Sequence, residues 1–223
     1  MRRASPGLRT RIRRLRAMVF DIDGVFTDGT AYWTRRGESM KRFSMLDGRA
    51  LDELREKGLT IALITGERSR INRRYAKILK VKDFFIGSRD KLKDLKSFSR
   101  RHRFGLQAVA YAGDDTSDLT CLQAAGVAFS VPNAPASIRR VADRVTERKG
   151  GEGAVREIAD FILKERDSGS KATGERGNQS NGFAASHRRA PHGASPSGSG
   201  SGRSPARIGR RASRPPNPRD TKR

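Results

Sequence analysis

Apolar runs recur along the first two thirds of the chain, at residues 17–22, 59–64, 84–86, 108–112 and 127–131. Their continuous apolar character predicts strands buried on both faces. Between and after them the apolar positions take up the helical period at about 47–57, 69–80, 90–103, 116–125, 135–142 and 153–165. This alternation predicts an α/β fold: a Rossmann-like parallel sheet with helices on both faces and ligands at the C-terminal ends of the strands. Residues 29–33 (GTAYW) and 39–44 (SMKRFS), around Arg36 and Gly37, predict a small β-hairpin inserted after the first strand. The interval from Asp23 to Asp47 is too short for a cap domain, and the roughly 150 residues of 17–166 suffice for a single core.

Polar residues with chemistry gather where these strands end. Asp21 and Asp23 close the first, with Gly24 directly behind them. Carboxylates at i and i+2 share a face in a continuing strand; where the chain opens into a loop, one presents its side chain and the other its carbonyl. Either arrangement suits a hard cation beside a phosphate. The same DxDG string occurs in plain turns and in calcium loops, but the glutamate that a calcium loop needs at its twelfth position is here Tyr32. Thr65 and Gly66 close the second strand ahead of a helix from about Ser69, a place where a hydroxyl and free amides suit phosphate oxygens. A third strand runs to Gly113 and the cluster Asp114, Asp115 and Asp118, whose mutual repulsion a divalent cation would relieve. Lys91 stands near the start of a helix, where a lysine is ordinarily a solvated surface charge.

Asp-x-Asp-Gly, a strand-end threonine, a lysine and Gly-Asp-Asp-x-x-Asp, in that order, resemble the four motifs of the haloacid dehalogenase superfamily of phosphohydrolases, over about residues 17–166. The segments DIDGVFTDG, GESMKRFSMLDG and GGEGAVRE, with the short interval from TGERS to DKL, resemble its capless subclass. Those enzymes dephosphorylate 3-deoxy-2-keto sugar acids, chiefly 3-deoxy-D-manno-octulosonate 8-phosphate. The resemblance implies that Asp21 is the nucleophile, that Asp23 is the general acid and base, and that Thr65 and Lys91 hold the phosphoryl oxygens. It implies Mg²⁺ on Asp21, the Asp23 carbonyl and Asp114, with Asp115 and Asp118 behind them as orienting residues.

For the substrate, the resemblance implies a pocket of Asp23, Gly24, Ser44, Asp47, Gly48, Gly66, Glu67, Tyr75 and Lys91. Three positions depart from the octulosonate phosphatases. Leu46 stands where a segment resembling FNVRDG carries arginine, and Glu67 and Tyr75 replace two arginines for the sugar carboxylate. An ionised glutamate has no donors and cannot clamp a carboxylate, though it accepts hydrogen bonds from sugar hydroxyls. Glu67 together with GGEG resembles the branch acting on nonulosonate 9-phosphates, which keeps an arginine at the position of Tyr75. The resemblance further implies a homotetramer in which hairpins pack together and Lys149–Gly153 reaches over a neighbour's site. It also implies a place in lipopolysaccharide precursor synthesis.

Charge changes the picture outside this domain. The 48 basic and 24 acidic residues leave a net charge of +24, of which 1–16 carry +7, 17–166 carry +8 (29 basic, 21 acidic) and 167–223 carry +9 (12 basic, 3 acidic). Residues 167–223, rich in Ser, Gly, Pro, Arg and Asn, are expected to be a disordered tail. Basic ends of this kind attract nucleic acid or an anionic surface through nonspecific charge, so a scaffold-like nucleic-acid-binding protein is the competing class. Residues 1–16 are a basic lead-in whose LRTRIRRLRA predicts a short helix; it lacks a secretory apolar core, and its acid-free start also fits an organelle transit segment. No transmembrane segment is expected. The single Cys121 excludes an intramolecular disulfide and suits a reducing, cytoplasmic location, while His102, His187 and His192 show no metal-ligand spacing.

Overall fold

The computed structural model describes residues 4–168. Six strands form one parallel sheet in the order β5-β4-β1-β6-β7-β8. β1 (Ala17–Phe20) lies between β4 (Thr60–Thr65) and β6 (Val109–Ala112), with β5 (Asp83–Ile86), β7 (Val127–Ser130) and the two-residue β8 (Arg144–Val145) outside them. Side chains alternate across the strands and feed two cores. Met18, Phe20, Ile61, Leu63 and Phe129 face one layer with α1 (Pro6–Arg13), α2 (Met45–Glu56) and α7 (Ala154–Asp167). Val19, Ala62, Ile64, Tyr111 and Ala128 face the other with α4 (Lys91–Arg101), α5 (Leu119–Ala124) and α6 (Ala136–Val141). Burial on both sides is the reason the strands read as unbroken apolar runs.

The expected lead-in helix is α1; its Leu8 and Ile12, with Leu15 after it, are buried in the first layer, and Arg9 pairs with Glu165 of α7 at 2.8 Å. The hairpin forms with shorter arms than the sequence suggests: β2 (Tyr32–Thr34) and β3 (Gly37–Met40) turn at Arg35 and Arg36, and Gly37, at φ 107°, opens the second arm instead of sitting in the turn. α3 (Arg70–Ile78) starts one residue late, because the Ser69 hydroxyl accepts the Asn72 amide at its end. The sequence gives no sign of β8. The helix expected over 116–125 is a short tight turn at 116–118 followed by α5. The expectation of a disordered tail falls, from residue 169 onward, outside the described residues. Among the described residues, no helix is long and apolar enough to cross a membrane.

Candidate active site

Asp21 follows β1 and is 4% exposed; its amide still bonds to Ala112 at 2.9 Å, so the carboxylate stands at the C-terminal edge of the central strand. Lys91, first residue of α4, brings its ammonium 3.1 Å from Asp21 Oδ1 and 2.8 Å from Asp118 Oδ1. The Tyr111 hydroxyl donates to the same Asp118 oxygen at 2.7 Å, and the amides of Asp114 and Asp115 donate to the other, both at 3.1 Å. Asp118 is thus fully engaged in holding Lys91 and the 114–115 turn. Asp115 is exposed and contributes its amide to that turn.

Asp21, Asp114 and Asp118 each offer one oxygen within 4.8 Å of the others. Asp21 Oδ1 and Asp114 Oδ1 are buried without a hydrogen-bond partner, Lys91 lying close to the former but out of line for a bond. Burial, and then the charge of Asp118, push the Asp21 carboxyl well above its usual range, with Lys91 opposing. The same two causes push Asp114 up to about 7. Burial disfavours the Lys91 ammonium, but Asp21 and Asp118 outweigh it and hold this lysine above its ordinary range. Oxygen ligands short of donors and carboxylates carrying uncompensated charge suit a hard divalent cation. Gly24, at φ +89°, allows the close approach: a Cβ there would meet Asp114 Oδ2 at 1.9 Å.

Asp23 is held differently. Its Oδ1 accepts from Lys41 at 2.6 Å, and its Oδ2 accepts from Thr65 Oγ1 at 3.1 Å and from Asn72 Nδ2 at 2.7 Å. Thr65 is 1% exposed, and its hydroxyl also accepts the Glu67 amide at 3.1 Å. Lys41 and Asn72 are absent from the sequence-derived site. A lysine in a hairpin reads as solvated, and the one available signal for Asn72 is its place in the first turn of a helix that follows a strand-end Thr-Gly.

The expected substrate residues divide. Gly24 lies within the cluster. Gly66 and Glu67 are exposed, and Glu67 lines a polar cleft of about 500 Å³ with Trp33, Arg36, Glu38, Arg68 and Arg70. Asp47 does not face this region: its fully buried carboxylate accepts the amides of Gly153 at 3.2 Å and Arg156 at 2.8 Å, closing the N-terminus of α7. The Tyr75 ring stacks on Phe43 at 3.8 Å between centroids and meets Phe26 edge-on at 5.8 Å, and its buried hydroxyl has no hydrogen-bond partner among the described residues. Ser44 and Gly48 line a smaller hollow with Met45, Tyr75 and Leu79 on this side of α2. The segment Lys149–Gly153, expected over a neighbour's site, packs on its own chain. Gly151 donates to Val25 O at 3.1 Å, Asn133 bonds both Gly150 N and Gly24 O, and a Cβ on Gly150 would fall 1.8 Å from Gly24 O.

No family model matches the chain. It is 33% identical over 159 residues to the 3-deoxy-D-manno-octulosonate 8-phosphate phosphatase KdsC of Haemophilus influenzae, covering 70% of this chain and 87% of the relative. The fold resembles the crystal structure of the Moraxella catarrhalis phosphatase of the same name in complex with magnesium ion, phosphate ion and a KDO molecule. There the TM-score is 0.70, with 32% identity over 76% of this chain and 97% of that one. A cobalt-bound form of the Haemophilus influenzae protein gives a TM-score of 0.69 and 31% identity, covering 74% and 99% of the two chains.

Proposed function

The chain belongs to the 3-deoxy-D-manno-octulosonate 8-phosphate phosphatase family of the haloacid dehalogenase superfamily, and on that premise we propose that it hydrolyses this phosphate ester with Mg²⁺ through a phosphoenzyme on Asp21. The observation that carries the assignment is the contrast between the two aspartates: the buried Asp21 Oδ1 meets the Lys91 ammonium alone, at 3.1 Å, whereas Asp23 is held by three donors. Asp21 attacks phosphorus, the bond to the sugar oxygen breaks, and Asp23 gives that oxygen a proton. Water then attacks the acyl phosphate while Asp23 takes up its proton. Lys91, kept charged by Asp21 and Asp118, holds the phosphoryl oxygens where negative charge spreads, and Thr65 joins it when its hydroxyl turns from Asp23 to the phosphoryl group. Asp21 and Asp114, with the Asp23 carbonyl, would hold Mg²⁺, which supplies charge neutralisation at the phosphoryl group.

The sugar acid takes the cleft of Trp33, Arg36, Glu67, Arg68 and Arg70, whose arginines supply the cations that positions 67 and 75 lack. This site works in a homotetramer in the cytoplasm; the association is supported by the exposed Tyr32, Trp33, Met40, Met45, Leu46 and Ile78 on the hairpin, α2 and α3, and the location by the single, unpaired Cys121. The product enters lipopolysaccharide precursor synthesis. The test is a comparison of kcat/KM with Mg²⁺ for octulosonate 8-phosphate, nonulosonate 9-phosphates and simple sugar phosphates. The octulosonate ester ranks first and Asp21→Asn abolishes turnover; a higher value for an ester without a keto-acid group refutes the substrate.

A further inference from the structure

The shortest bond to Asp23 comes from the hairpin, not from any strand end of the main sheet. Lys41 follows β3, its side chain is 4% exposed, and its ammonium touches three oxygens: Asp23 Oδ1 at 2.6 Å, Glu38 Oε1 at 2.9 Å and Asn72 Oδ1 at 3.3 Å. The other Glu38 oxygen accepts the Ser69 hydroxyl, and Ser69 in turn accepts the Asn72 amide at 3.1 Å. Lys41, Glu38, Ser69 and Asn72 therefore close a ring of bonds between hairpin and α3. With Asn72 Oδ1 taken by Lys41, its Nδ2 must face Asp23 Oδ2, where it lies at 2.7 Å. A tie between the two elements needs only Glu38 and Ser69. Lys41 and Asn72 add a second, longer bond at 3.3 Å to that tie, and both are turned onto the carboxylate.

We propose that Lys41, oriented by Glu38 and Asn72, is a positioning residue that fixes the plane of the Asp23 carboxyl and commits Oδ2 to proton transfer. This rests on Asp23 being the acid and base of the phosphatase reaction. An oxygen paired with an ammonium is the poorer proton carrier, while Oδ2 has only the neutral partners Thr65 and Asn72. The proton passes from Oδ2 to the sugar oxygen as its bond to phosphorus breaks, and later from water back to Oδ2. Misplacing such a group by about 1 Å is enough to cost on the order of 100-fold in rate.

Leaving-group chemistry tests this with the full chain and Mg²⁺. An alkyl sugar phosphate needs a proton on its departing oxygen, 4-nitrophenyl phosphate does not, and kcat/KM reports the steps through that departure. Lys41→Met lowers kcat/KM for the alkyl ester by about 100-fold and for the aryl ester by less than about 3-fold. Asn72→Ala shows the same split to a smaller degree. An equal loss on both esters at an unchanged melting temperature, or no loss, overturns the proposal. Should Lys41→Met fail to fold, Asn72→Ala decides alone by the same criterion. Wild-type protein inactive on both esters refutes the phosphatase reading itself, whereas an active wild type whose Asp23→Asn variant shows no split refutes the acid and base role and this inference with it.

Discussion

Asp21 and Asp23 are the same residue type two positions apart, and their neighbours hold them differently: Asp21 faces Lys91, whereas Asp23 accepts from Lys41, Thr65 and Asn72. Asp21, Thr65, Lys91 and Asp114 were legible because each sits at a strand or helix end that the apolar pattern marks. Lys41 and Asn72 were not, since the hairpin folds back on α3 through contacts 31 residues apart. The Tyr75 and Asp47 expectations came from the family resemblance; in the fold the Tyr75 ring stacks on Phe43, and the Asp47 carboxylate accepts amides at the start of α7. Asp114 gives a test of the cation site. Burial and Asp118 raise its carboxyl to about 7, so without metal its contribution to stability is complete below the ordinary carboxylate range and is lost as pH rises through about 7. In chelator, the melting temperature falls between about pH 6 and 8, and Mg²⁺ raises it more at pH 8 than at pH 6. Asp114→Asn flattens this dependence; an equal Mg²⁺ increment at both values counts against the site.

Helices and strands followed the periodicity wherever burial was strong, and failed where side chains overrode it. The turn at 116–118 departs from the expected helix because the Asp118 carboxylate reaches back to the amides of Asp114 and Asp115. β8 is too short to leave a pattern. The junction of α2 with α7 is where the element scale makes a prediction. Asp47→Ala strands the buried Gly153 amide and the part-buried Arg156 amide and destabilises the protein by about 1–3 kcal/mol in urea denaturation, while KM stays within about 2-fold of wild type. A large rise in KM with unchanged stability would return Asp47 to the substrate pocket.

The whole molecule joins a sheet buried on both faces to an apolar surface that no described residue covers. Trp33 is 71% exposed and Met45 77%, and large exposed apolar side chains of this kind are what an interface between chains would cover. Light scattering is expected to give the mass of four chains for the wild type, and a smaller mass for a Trp33→Asp, Leu46→Asp double variant. A wild-type mass of one chain would exclude the tetramer. The fold class was readable because both cores draw on alternate residues of the same strands. The tetramer expectation came from the family resemblance and not from the apolar pattern, because exposed hydrophobic positions carry no period that distinguishes an interface from a local core.

β1 is the first strand of the sheet to leave the ribosome, yet its two partners lie at residues 60–65 and 109–112, and the loop behind Asp23 rests on Gly150 and Gly151. Synthesis from Asp21 to Gly151 takes on the order of ten seconds. For much of that time Asp21 and Asp23 stand on a nascent chain whose later strands and whose Gly150–Gly151 loop have yet to be made. Catalytic competence therefore arrives late, and a chain terminated between Asp118 and Gly150 carries every acidic residue of the site without the loop that rests behind Asp23.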